Sequence, residues 1–226
     1  MRPGIPAMIL VLGTLLRFEP ADAGIMCTWF GRCLYESPGF QITVVDKETE
    51  QPLADVHALA EWVQNGYHGL NGPLMVQDAV SGPEGVLTFP AWGPIRGSPA
   101  GLVLNHDPVI SLFKTGYKTM VITNAIPVGL EETERVRGFS LGFQSSALMP
   151  FRGTSEEWVM ELGKAAYPPR LGGTSEDQIT QFRIPYLNRW VRVQIEAEKL
   201  PKERRDVEHL VWSLGRSIKI YERGDK

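Results

Sequence analysis

A mainly β fold with a C-terminal helical extension is what this chain predicts, on three observations. Its 226 residues include 23 Gly and 17 Pro, a density that breaks long helices and favours short strands joined by turns. From Phe40 onward apolar residues recur every second position in strand-sized pieces. Past Phe151 the spacing changes to that of helices. The length suits one domain with an appendage rather than two large domains.

The chain opens MRPGIPAMILVLGTLLRFEPADAG, with Arg2, an apolar run from Ala7 to Leu16 and the small-x-small triplet Ala21-Asp22-Ala23. That run is about half of the roughly 20 apolar residues a membrane-spanning helix needs, so residues 1–23 read as a signal peptide cleaved after Ala23. The alternative is an uncleaved anchor, suggested by polar Arg17 and Glu19, and it is the only route to membrane contact that the sequence offers. The expected compartment is periplasmic or extracellular. There Cys27 and Cys33, the two cysteines of the chain, are expected to close a small disulfide loop within the N-terminal segment 24–37.

Strands follow in order. FQITVVD (residues 40–46) alternates, with Phe40, Ile42 and Val44 on one side. After the polar turn KETEQPL, VHALAEWV places Val56, Ala58, Ala60 and Trp62 on one side and His57, Leu59 and Glu61 on the other. NGYHGLNGP (65–73) reads as loop. MVQDAV, SGPEG and VLTFP read as strand, tight turn and strand, and Ala91 to about Asp107 reads as a long loop. ISLFKTGYKTMVI (110–122) tempts a phosphate-loop reading, but the residues after Gly116 are poor helix openers, so Gly116 is expected to turn a hairpin.

The C-terminal part reads as three helices. Thr154 with Glu157 forms a capping box ahead of Trp158, Leu162 and Ala165, predicting a helix over about 155–166. Pro185 suits the first turn of a second helix carrying Leu187, Trp190, Val191 and Ile195. Pro201 suits the start of a third, with Val207, Leu210, Val211 and Leu214 on one stripe. The aromatics among them, Trp158 and Trp190, are expected to be core rather than a ligand platform.

The opening strand ending in Asp46, TEQPLADVHALAEW, DAVSGPEGVLTFPAWG and DPVISLFKTGYK, taken in that order over about residues 38–145, resemble the carboxypeptidase regulatory-like domain family found in secreted bacterial proteins. The resemblance implies a seven-stranded immunoglobulin-like or transthyretin-like β-sandwich over 38–150, followed by the helical extension 151–226. It is similar to the accessory module of some zinc carboxypeptidases. The turn VSGPEG (80–85) departs from the family's Thr-Asp-x-x-Gly, so no role of that Asp carries over.

Chemistry is sparse. The 23 Lys plus Arg against 26 Asp plus Glu give a net charge of -3, which leaves no basic excess for nucleic acid. His57, His68, His106 and His209 have Ala60, Asn71, Val109 and Trp212 three places on, so the His-x-x-Glu pair of zinc carboxypeptidases is missing. No metal or other cofactor is expected. GFSLG (138–142), with Asp177, Asp206 and His209 downstream, has the order of a serine hydrolase, but no helical stripe follows Gly142. Ser140 is therefore expected on a last sandwich strand, and a hydrolase using Ser140 and His209 stays the alternative. The remaining candidates are loop residues: Trp62, Tyr67, His68 and Asn71, and Trp92, Arg96, Asn105 and His106. Rings beside amide and imidazole groups at one end of a sandwich suit a glycan or a peptide, whereas Trp62 and Trp92 equally suit the ends of the core. The expected function is a non-catalytic binding or structural module of the cell envelope. A further alternative is assembly with an envelope protein through the C-terminal helices.

Overall fold

The computed structural model describes residues 34–66, 69–97, 101–103, 108–123, 145–167, 182–201 and 203–223. The expected signal peptide, Cys27, Cys33, Asp177 and the Ser140 motif lie outside them. Among the described residues the chain is mainly β, with ten strands in three sheets and three helices.

Strand β1 (Leu34–Ser37) pairs with β6 (Trp92–Arg96) as a two-stranded ribbon. Strand β2 (Phe40–Asp46) forms where its alternation predicts and is central to a three-stranded sheet. It pairs antiparallel with β5 (Val86–Phe89) and parallel with β10 (Ser145–Leu148). The third sheet runs β4 (Gly69–Val80), β3 (His57–Gly66), β8 (Val109–Phe113) and β9 (Met120–Thr123), and β7 (Gly101–Val103) extends the β8 side of β3. Gly116, at φ 80°, turns between β8 and β9.

Several expectations change. Residues 65–73 are mostly strand, because β3 runs to Gly66 and β4 begins at Gly69; register shifts between Trp62 and Asn65 absorb the irregularity. The expected loop 91–107 carries β6 and β7, since glycine and proline are tolerated at edges and strand ends. Among the described residues ten strands form, with β1 ahead of the range expected for the sandwich, and β10 joins β2 in parallel.

The three helices are α1 (Ser155–Ala166), α2 (Arg183–Ala197) and α3 (Arg205–Arg223). The capping box of α1 is present as read: Thr154 Oγ1 accepts from the Glu157 N–H, and Glu157 accepts from the Thr154 N–H. Helix α3 starts four residues beyond Pro201.

The alternation of β3 positions everything else. Ala58, Ala60 and Trp62 join Ile42, Val44, Leu87, Phe89, Ile110, Leu112 and Leu148 in one apolar cluster shared by the three- and five-stranded sheets. Leu59 on β3, with Val76 and Phe113 from β4 and β8, points the other way, into a second cluster with all three helices. Both faces of β3 are thus buried, and the helices lie on the sheet face opposite the first core.

At Gly85, φ is 68° and a Cβ would collide with the Val44 carbonyl oxygen, whereas one at Gly116 would meet nothing. Gly85→Ala is therefore expected to destabilise by about 3 kcal/mol, and Gly116→Ala by only about 1 kcal/mol. Urea unfolding midpoints at unchanged m-value check the difference, and equal losses would mean that β2 does not approach this turn so closely.

Candidate functional site

The expected ring platform is dismantled by packing. Trp62 is 0% exposed and Trp92 8%, and their rings meet edge to face at 5.3 Å inside the first core. Phe40 takes another contact with Trp62, so neither indole offers a face to a ligand. Arg96 is exposed at the end of β6. Tyr67, His68, Asn105 and His106, and the side chain of Asn71, lie outside the described residues. His209 is exposed on α3 beside Trp212, and Asp206 pairs with Arg204.

What the structure gathers instead is a buried polar cluster between β3 and α2. Arg189 is 0% exposed and donates in four directions. Its Nε reaches His57 Nδ1 at 2.8 Å, Nη2 reaches the His57 and Ser111 carbonyls at 2.9 and 2.7 Å, and Nη1 reaches the Ala165 carbonyl at 3.3 Å. One side chain thus joins β3, β8, α1 and α2. Trp190 Nε1 adds a bond to the Ala166 carbonyl at 2.8 Å, so two acceptors left over by the last turn of α1 are satisfied by α2. The negative end of the α1 dipole also favours the buried cation. Nearby, Tyr186 donates to Glu61 Oε1 at 2.8 Å, and burial pushes the phenol well above its ordinary range.

The hydrogen bonds fix the state of His57. Arg189 has no lone pair to offer, so Nδ1 must be the acceptor and the proton sits on Nε2, 3.2 Å from Asp78 Oδ2. Burial, aided by the charge of Arg189, pulls the imidazole down to about 4 despite the Asp78 bond. Burial works against the Asp78 carboxylate, but bonds from His57 and Asn188 hold it below its usual range. An Asp–His pair suggests a proton relay, yet the basic nitrogen of His57 already accepts from Arg189. The arrangement therefore acts as a clamp. A pocket of about 150 Å³ opens at its rim, where Lys114, Arg192 and Glu196 gather.

The outer side of the helical layer is different in kind. Ile184, Val191 and Ile195 are exposed along α2, as are Trp212 and Ile220 on α3. Between the helices lies a groove of about 680 Å³, bounded by Gln194 of α2 and by Val211, Trp212, Gly215, Arg216, Lys219 and Ile220 of α3. Among the described residues no carboxylate pairs with Arg216 or Lys219. Gly215, in the helix interior, costs about 1 kcal/mol relative to Ala, and a Cβ there would meet nothing, so folding does not require it.

Comparison with known proteins finds neither a matching protein family nor a matching curated sequence. The clamp is missed in sequence because His57 and Glu61 look like the wet side of a half-buried strand and Arg189 like one more helix-surface charge. The readable signal was Arg189 itself, which shares a helical face with Tyr186 and Val193.

Two outcomes follow from the clamp. Arg189→Met leaves buried carbonyls without donors and is expected to cost about 3–5 kcal/mol, and Arg189→Lys should recover little, because an ammonium cannot reproduce the divergent fork. Stability should also fall with acid. The folded state holds His57 near 4 against an ordinary 6.5, so the unfolded chain takes up the proton first and up to about 3 kcal/mol is lost as pH drops through that interval. Protonation at Nδ1 would also set one donor against another at Arg189. Urea titrations from neutral pH downward test this, with His57→Gln expected to flatten that part of the profile.

Proposed function

We propose that the chain is an exported, non-catalytic module of the cell envelope that docks a partner protein through its helical layer. In this reading the two sheets sharing the first core form an immunoglobulin-like or transthyretin-like sandwich of the carboxypeptidase regulatory-like kind. The shared apolar cluster and the order of the resembling segments support that plan. Export rests on the N-terminal pattern. Among the described residues no helix is long and apolar enough to cross a membrane.

One observation carries the docking reading: the helices that cover the sheet on one side leave large apolar residues exposed on the other. Trp212, 60% exposed, and Ile220, 50% exposed, line the groove, while Ile184 at 54% and Ile195 at 51% are exposed elsewhere along α2. Scattered apolar surface needs no explanation, but exposed apolar residues that line a concavity, as Trp212 and Ile220 do, mark contact sites. Glycan recognition loses its main support with the burial of Trp62 and Trp92. The hydrolase alternative gains none from His209, which contacts Trp212 on an open helix face.

Site-specific photo-crosslinking tests the reading in cells. A crosslinker at Ile184 or Ile195 should give a discrete adduct, and one at Thr88 on the exposed side of β5 should not; adducts from neither helix position would sink it. The mature protein should start at Gly24 by mass spectrometry. Labelling by a fluorophosphonate that Ser140→Ala abolishes would favour the hydrolase instead.

A further inference from the structure

Resting on that docking reading, we propose that the groove between α2 and α3 receives an acidic amphipathic helix of a partner protein, one apolar side chain seated over Gly215 and its carboxylates on Arg216 and Lys219. Three features of the groove select this occupant. Its charge is one-sided: both ionic side chains on its wall are cations, and among the described residues neither has an anionic partner. The Arg216 guanidinium lies 5.6 Å from the Trp212 ring centroid, which orients it while leaving its N–H edge free for a bidentate carboxylate.

Its shape is that of a helix seat. Trp212, Gly215, Arg216, Lys219 and Ile220 follow at intervals of three, one, three and one, which puts them on one face of α3. Gly215 lowers the floor of that face, and a notch in a helix surface admits the ridge of a second helix at short range. The notch also supplies a reason for a glycine that folding does not require.

A second copy of the chain fits less well. A twofold contact across this groove would bring Arg216 and Lys219 toward their own symmetry mates, with like charges opposed. A lipid surface is flat and would leave the concavity unfilled.

Panning a displayed library of random peptides, long enough for about four helical turns, on the full exported chain tests the proposal. Enriched peptides are expected to carry apolar residues at helical spacing flanked by Asp or Glu. Their affinity by fluorescence anisotropy should fall about tenfold in Gly215→Leu and again in Arg216→Glu with Lys219→Glu. Gly215→Leu fills the notch with a better helix former, so its melting temperature should not drop, and lost binding cannot be assigned to unfolding. No enrichment, enriched peptides without acidic residues, or affinities indifferent to Gly215→Leu would each overturn the proposal. So would binding to phosphatidylglycerol vesicles that the same substitutions abolish while peptides stay unbound. If crosslinks from Ile184 and Ile195 persist in Gly215→Leu, the docking reading survives and the groove assignment falls; if those crosslinks never form, the docking reading itself fails.

Discussion

The buried guanidinium of Arg189 is the interaction on which the rest of the structure depends. A cation taken from water into an apolar interior is costly unless every donor finds an acceptor. Here the acceptors are the His57 ring and carbonyls of β3, β8 and α1, and the Asp78 carboxylate stands behind the imidazole. Those partners lie in two paired strands of one sheet and in a helix that apolar packing alone leaves free to slide over it. Because the guanidinium fork is rigid and planar, all of its bonds are met at one mutual placement of sheet and helices. The apolar cluster around Leu59, Val76 and Phe113 supplies the driving force for helix docking, and Arg189 supplies its register.

Strand β2 was legible because one of its faces is buried: Ile42 and Val44 alternate with less buried neighbours, and its bounds coincide with the sequence reading. The α1 capping box was legible for a related reason, since both of its partners are local in sequence. Strand β3 was read correctly as a strand, but its second side was not understood. Alternation of Ala58, Ala60 and Trp62 with His57, Leu59 and Glu61 has the same period whether the second set meets water or a layer of helices. The partners that bury it, Tyr186 and Arg189, come more than a hundred residues later, and no local pattern records that distance.

The site suffered from the same blindness to long range. Trp62 and Trp92 look like loop aromatics because glycines and prolines surround them, yet those glycines and prolines sit in β3, β4 and β6 or between them, and the rings close the end of the core. The exposed apolar stripe of α2 was in plain view as Ile184, Val191 and Ile195. Spacing alone does not separate it from the buried stripe, because an apolar residue in a helix of an ordinary domain usually faces inward. Which of two apolar stripes is inside is decided by the clamp, which rotates α2 so that Tyr186, Arg189, Trp190 and Val193 meet the sheet and α1.

That rotation links the interior to the outer surface. With α2 fixed on one side by Arg189 and Trp190, its opposite side and the facing side of α3 are held in one relative placement. The stacked Tyr186 and Trp190 rings, with Tyr221 of α3 edge-on at 4.6 Å to Trp190, carry the constraint from the clamp to the second helix. A groove between two helices so restrained is formed by the fold itself, and a partner of the kind proposed would not have to supply the ordering entropy of its walls. The same buried arginine that sets the register of the fold thereby sets the width of the groove. A chain in which α2 could turn by even one residue would point Arg189 away from His57 and carry Gln194 off the groove wall.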